Sequence, residues 1–158
     1  MSSENVRDIK NIGVIYNMKN KKTNELASCG VYCGACPSFN KSCFGCSSEI
    51  NKKTRSKSRE GCLIRNCCYN IEKHNYCVEC EKFPCAKISK KLLKSHPENL
   101  KYKYRHEIPQ VFIKLREMSL IDFLIYQKER WTCPSCGGII HFYHYICSQC
   151  GKEVNVGF

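Results

Sequence analysis

Residues 131–153 read WTCPSCGGIIHFYHYICSQCGKE. Two residues separate Cys133 from Cys136, and two separate Cys147 from Cys150. A gap of that length lets the chain turn so that both sulfurs face one ion at about 2.3 Å. Gly137 and Gly151 follow the two pairs and supply the tight backbone such a turn demands. The intervening IIHFYHYI is β-branched and aromatic, which is strand composition. The spacing therefore predicts a zinc ribbon over 131–158, with Cys133, Cys136, Cys147 and Cys150 as its ligands. Four thiolates fill a tetrahedral site, so His141 and His144 are expected at the surface or in packing.

Working outward, residues 26–46 read LASCGVYCGACPSFNKSCFGC, and cysteines continue to residue 85. The chain has 158 residues and 15 cysteines, about a tenth of the whole. That density marks a disulfide scaffold or a metal protein. The hydrophobic content of 42% counts those cysteines, so the apolar core is thin and needs staples. At the N-terminus, Glu4, Arg7, Asp8 and Lys10 interrupt any apolar run, and Asp122 breaks the longest one near Leu120. Neither a secretory signal nor a membrane span is expected, and the location is expected to be cytoplasmic. Thiols stay reduced there, and an odd number of cysteines does not pair completely, so metal is favoured over disulfides.

The candidate ligands of this region are Cys29, Cys33, Cys36, Cys43, Cys46, Cys62, Cys67, Cys77, Cys80 and Cys85. Cys43-x2-Cys46 and Cys77-x2-Cys80 are further knuckles. The neighbours Cys67 and Cys68 are expected to point different ways, so that one of them serves a given ion. Two four-thiolate sites here would bring the total, with the ribbon, to about three zinc ions. The alternative is one [4Fe–4S] cluster plus zinc, since thiolate-rich sites accept either. A local set 33/36/43/46 and sets stapling 29–46 to 67–85 both fit the spacing. Cys29-x3-Cys33-x2-Cys36 also matches the three-cysteine spacing of radical-SAM enzymes, but this chain has no room for the βα barrel that chemistry uses.

CGVYCGACPSF, CFGC, CVECEKFPCAKI and ERWTCPSCGG occur in the same order as the motifs of the domain of unknown function 3795 family. These are cysteine-rich proteins of bacteria and archaea. The chain resembles that family over about residues 26–151. The resemblance implies metal binding, usually taken as zinc, and brings no established reaction or partner.

The net charge of +12 invites a nucleic-acid reading. Each zinc held by four thiolates carries −2, however, so three such sites would halve the excess. The chain divides into a polar arm over 1–27, with a strand-like run at 12–16, and a cysteine-rich metal-binding region over 28–85. A helical scaffold over 86–130 and the ribbon follow. A solvated basic insert spans 47–61. One helix is expected from Pro84, with Ile88, Leu92 and Leu93 on its apolar side, ending before Pro97. Two more divide 108–130 at Ser119, where Ser119-Leu120-Ile121-Asp122 spells a capping box. Cys85 should anchor the first helix to the cluster, and Trp131 should seat the ribbon on Leu120, Phe123 and Leu124.

The fold class expected is thus a small metal-stapled α+β protein: an irregular cysteine-rich cluster, two to three helices and a C-terminal zinc ribbon. The function expected is a non-enzymatic structural or interaction module. Basic residues at Lys52–Arg59 and at 101–105 offer contact with a protein or nucleic acid partner. Against that, Tyr102 and Tyr104 are expected to pack inward on an ordinary solvated helix face. The alternative is an iron–sulfur protein acting in electron transfer. Hydrolytic metal catalysis ranks last, because an all-thiolate shell weakens zinc as a Lewis acid and the region has no paired histidines.

Overall fold

The computed structural model describes residues 22–48 and 61–157. The strand-like run at 12–16 and most of the basic insert lie outside the described residues. Leu26 and Ala27 are fully buried, so the packed body already includes the end of the segment read as a polar arm.

Short helices joined by irregular chain make up the body. Helix α1, Leu63–Asn66, runs into a π-helical turn, Cys67–Ile71. Helix α2, Ala86–Ile88, does the same through Ser89–Leu93, and it stops before Pro97. Cys85 is the N-cap of α2, and Pro84 lies one residue outside rather than in the first turn. Helices α3, Lys103–His106, and α4, Ile108–Phe112, follow, and α4 carries Pro109 in its first turn. Helix α5, Leu120–Arg130, is the longest described. Its N-cap is Ser119, whose Oγ accepts from the Asp122 N–H at 3.1 Å and donates to Asp122 Oδ2 at 2.7 Å. Helices of four or five residues do not persist alone, so tertiary contacts hold them.

Two apolar clusters supply those contacts. The first joins Leu26, Ile64, Tyr76, Val78, Ile88, Leu92, Val111, Phe112, Leu115, Leu120 and Phe123. The second joins Tyr32, Ala35, Tyr104, Trp131, Ile140, Phe142 and Val156. Leu124 packs against both, so α5 links them. Trp131 is buried with Phe142 and Tyr145, at ring-centroid distances of 5.8 and 6.0 Å. Of the face expected to receive it, Leu120 and Phe123 belong to the first cluster and only Leu124 reaches the second.

The C-terminal hairpin pairs β1, Ile140–His141, with β2, Ile146–Cys147, antiparallel, Ile140 opposite Cys147. Single bridges Thr132–Ile139 and Ile146–Glu153 extend it on both sides. The Phe142 N–H donates to the Ala35 carbonyl at 3.2 Å, and Phe142 stacks on Tyr104 at 4.1 Å. The fold is thus a mixture of short helices and a small antiparallel sheet with cysteines grouped at its C-terminal end.

The irregular segments cross-link through main-chain groups. The Cys77 N–H donates to the Ser28 carbonyl at 2.8 Å, and Cys33 N–H to that of Glu25 at 2.7 Å. Arg116 donates to the carbonyls of Val78 and Cys80 at 2.8 and 3.2 Å. Buried main-chain groups outside regular ladders need such partners.

Candidate metal centres

At the C-terminal hairpin, Cys136 Sγ lies 3.4 Å from Cys147 Sγ, and Cys133 Sγ lies 3.7 Å from Cys150 Sγ. All four sulfurs fall within 4.8 Å of one another. A tetrahedral site with metal–sulfur bonds of about 2.3 Å sets its sulfurs roughly 3.8 Å apart, so this group has the dimensions to hold one ion. Gly137 and Gly151 take φ of +77° and +73°. Their N–H groups close the turns onto the carbonyls of Cys133 and Cys147 at 2.9 and 3.1 Å. Three further amides aim at sulfur: Gly138 at Cys136 (3.4 Å), and Gln149 and Cys150 at Cys147 (3.4 and 3.5 Å). The N–H groups of Cys150 and Gln149 hold the Cys147 thiol down at about 6, and the Ser135 N–H lowers Cys133. These donors favour thiolate, the form a metal takes. Cys133 and Cys147 are buried while Cys136 and Cys150 are exposed, so the group sits at the edge of the body.

Upstream, none of the cysteines forms a disulfide. All of them except Cys43 line two cavities. The first, of about 110 Å³, is walled by Cys29, Cys33, Cys36, Cys46 and Cys62. Arg65, Lys91 and Arg105 also line it, as do Tyr104, Phe142 and Tyr143. Lys91 Nζ donates to Cys62 Sγ at 3.4 Å, and Arg65 Nε donates to the Cys46 carbonyl at 2.7 Å. Burial pushes the Cys29 thiol up to about 12, and the neighbouring Cys46 and Cys62 add to it. Hydrogen bonding with Cys46 and burial together raise Cys33. Thiolates in such a place need the charge of a cation.

The second cavity, of about 90 Å³, is walled by Cys67, Cys68, Cys77, Cys80 and Cys85, with Glu72, His74, Lys82, Lys87 and Phe83. Hydrogen bonding with Cys68 and burial raise the Cys77 thiol. Cys68 Sγ also lies 3.5 Å from the His74 carbonyl. Glu72, His74 and Cys80 form a second group of ligand atoms within 4.8 Å of one another. Lys82 pairs with Glu72 at 3.1 Å, and His74 Nδ1 lies 3.6 Å from Glu79.

The expected ligands are therefore sorted by the fold in a way that spacing left open. Of the local set 33/36/43/46, Cys33, Cys36 and Cys46 line the first cavity, and Cys43 is buried. Cys62 alone crosses from the later chain to complete the first wall, while 67–85 closes on itself. Cys67 and Cys68 both line the second cavity, although adjacent residues of an ordinary helix diverge. Here they open the wider π-helical turn. Cys68, Glu72 and His74 were missed as partners of this group. A cysteine pair followed by an acid and a histidine within seven residues is a signal, but one that means nothing until the turn is known.

No family model, no curated protein and no solved structure matches the chain.

At 101–105, Tyr104 is buried against Phe142, and Arg105 lies over the Tyr102 ring at 4.7 Å. Lys103 pairs with Glu107 at 3.5 Å. Tyr104 is thus part of the packing, while Tyr102 is half-buried. No described helix is long and apolar enough to cross a membrane.

Proposed function

We propose that the chain is a non-enzymatic metalloprotein of the domain of unknown function 3795 family, in which one zinc ion closes the C-terminal ribbon and the N-terminal thiols bind iron–sulfur for electron transfer. One contrast carries this reading. The four ribbon sulfurs lie within 4.8 Å of one another, as a single ion requires. Among the described residues no three sulfurs of either upstream cavity do so. A mononuclear thiolate site needs sulfurs about 3.8 Å apart, whereas a cubane cluster holds its cysteine sulfurs roughly 6 Å apart. The ten thiols that wall the two upstream cavities support an iron–sulfur site beside the ribbon zinc. The family resemblance rests on the order of the cysteine motifs alone. Zinc in the ribbon is structural, because four thiolates leave no open position for substrate.

Colour and metal content test the reading. Protein purified without air is expected to be brown, to contain about one zinc per chain, and to contain iron with matching sulfide. Cys147→Ser should lose the zinc and the ordered hairpin while keeping the iron. Colourless protein with about three zinc per chain would return the N-terminal half to a zinc-stapled structural role.

A further inference from the structure

Ten cysteines stand around the two upstream cavities, five to each, while a four-iron cluster takes four. One cluster therefore leaves a whole cavity of thiols unexplained. On the same measure a single water needs roughly 10–15 Å³, so cavities of about 110 and 90 Å³ are far larger than a lone ion in a closed thiolate shell would leave. In the first, Cys36 packs in the second apolar cluster, which leaves Cys29, Cys33, Cys46 and Cys62 as the four remaining thiols of the wall. In the second, Cys67, Cys68, Cys77, Cys80 and Cys85 share the wall. Ile64 lines both cavities.

We propose that the chain carries two [4Fe–4S] clusters, one in each cavity, separated by the Ile64 side chain and arranged to pass electrons from the second to the first. Cys29, Cys33, Cys46 and Cys62 hold the first. Four of the five thiols in the other wall hold the second. This deepens the iron–sulfur reading above and depends on it.

Charge sets the direction. Positive groups near a cluster stabilise its reduced, more negative form and raise its potential. The first cavity has Arg65, Lys91 and Arg105 and no carboxylate in its wall. The second has Lys82 and Lys87, but Glu72 offsets Lys82 at 3.1 Å. The first cluster is thus the better acceptor. A one-electron protein donor reduces the second cluster from the 2+ to the 1+ state. That cluster returns to 2+ as the first goes from 2+ to 1+, and the first passes its electron to a one-electron acceptor. No bond or proton changes hands.

The test uses the full chain purified without air, reduced with dithionite, and read by iron, sulfide and zinc analysis and by electron paramagnetic resonance. About eight iron and eight sulfide per chain are expected, with a broadened spectrum from two interacting spins. Cys62→Ser and Cys77→Ser should each halve the iron, keep the zinc, and leave one narrow signal. Retained zinc together with a far-ultraviolet circular dichroism spectrum like that of the wild type shows that the variant still folds. Lys91→Met keeps every ligand, and should lower one of two reduction steps and leave the other in place.

About four iron with Cys77→Ser unchanged would overturn the two-cluster proposal while leaving the iron–sulfur reading intact. So would a second zinc that disappears in His74→Ala, since it would place a mononuclear site at Glu72, His74 and Cys80. Iron absent altogether would remove both.

Discussion

Gly45 sits one residue before Cys46 with φ of +96°. A Cβ added there would lie 2.1 Å from the Asn24 carbonyl oxygen. That oxygen belongs to backbone, which cannot swing aside as a side-chain tip does. Left-handed φ and collision add, so Gly45→Ala should destabilise by at least about 2 kcal/mol. Because Cys46 walls the first cavity, iron loading should fall with stability. Wild-type melting and iron content in this variant would show that the knuckle does not depend on the close approach. At this scale the C-terminal knuckles were legible in the sequence, because a two-residue gap and a following glycine fix sulfur positions locally. Cys68 was not, because its direction depends on a π-helical turn that no spacing rule announces.

At the scale of elements, α5 was read correctly at its start. Ser119 and Asp122 satisfy each other within one turn, and that is a local matter. Its other end depends on distant chain. Arg130 pairs with Glu107, and both side chains are buried. Arg130 Nε also donates to the Gly157 carbonyl at 2.8 Å. The pair joins the C-terminus of α5 to the start of α4 and to the final residues. Removing one partner leaves the other charge buried, so Glu107→Ala should cost roughly 3–5 kcal/mol. Urea unfolding at fixed zinc would measure it, and a change below about 1 kcal/mol would mean that water reaches the guanidinium. No periodicity in 108–130 pointed to this pair, since its partners are separated by two helices.

For the whole molecule, two apolar clusters bridged by Val31 and Leu124 imply two partly independent bodies joined at two points. Trp131 belongs to the second, stacked near Tyr145 and edge-on to Phe142. Trp131→Ala should cost about 3–5 kcal/mol. Amide exchange should rise across 131–153 while the amides around Phe112 and Phe123 stay protected. Equal loss of protection in both clusters would show one cooperative unit instead. The terminal hairpin was visible in composition, because β-branched and aromatic residues fill the chain between its two cysteine pairs. The cavities were not, because their walls come from segments far apart. Cys29 and Cys62 meet across residues outside the described chain, and Phe142 and Tyr143 arrive from the far hairpin.

That last placement has a consequence for how the protein is made. The side of the first cavity formed by Phe142 and Tyr143 is translated long after the cysteines it covers. During synthesis Cys29, Cys33, Cys36, Cys46 and Cys62 therefore leave the ribosome before two of the aromatic residues that share their cavity exist. The wall is complete only once the terminal hairpin, whose own knuckles have the dimensions of a metal site, has been made. The order of translation thus makes this cavity one of the last parts of the molecule to be finished, although its cysteines are among the first described residues to appear.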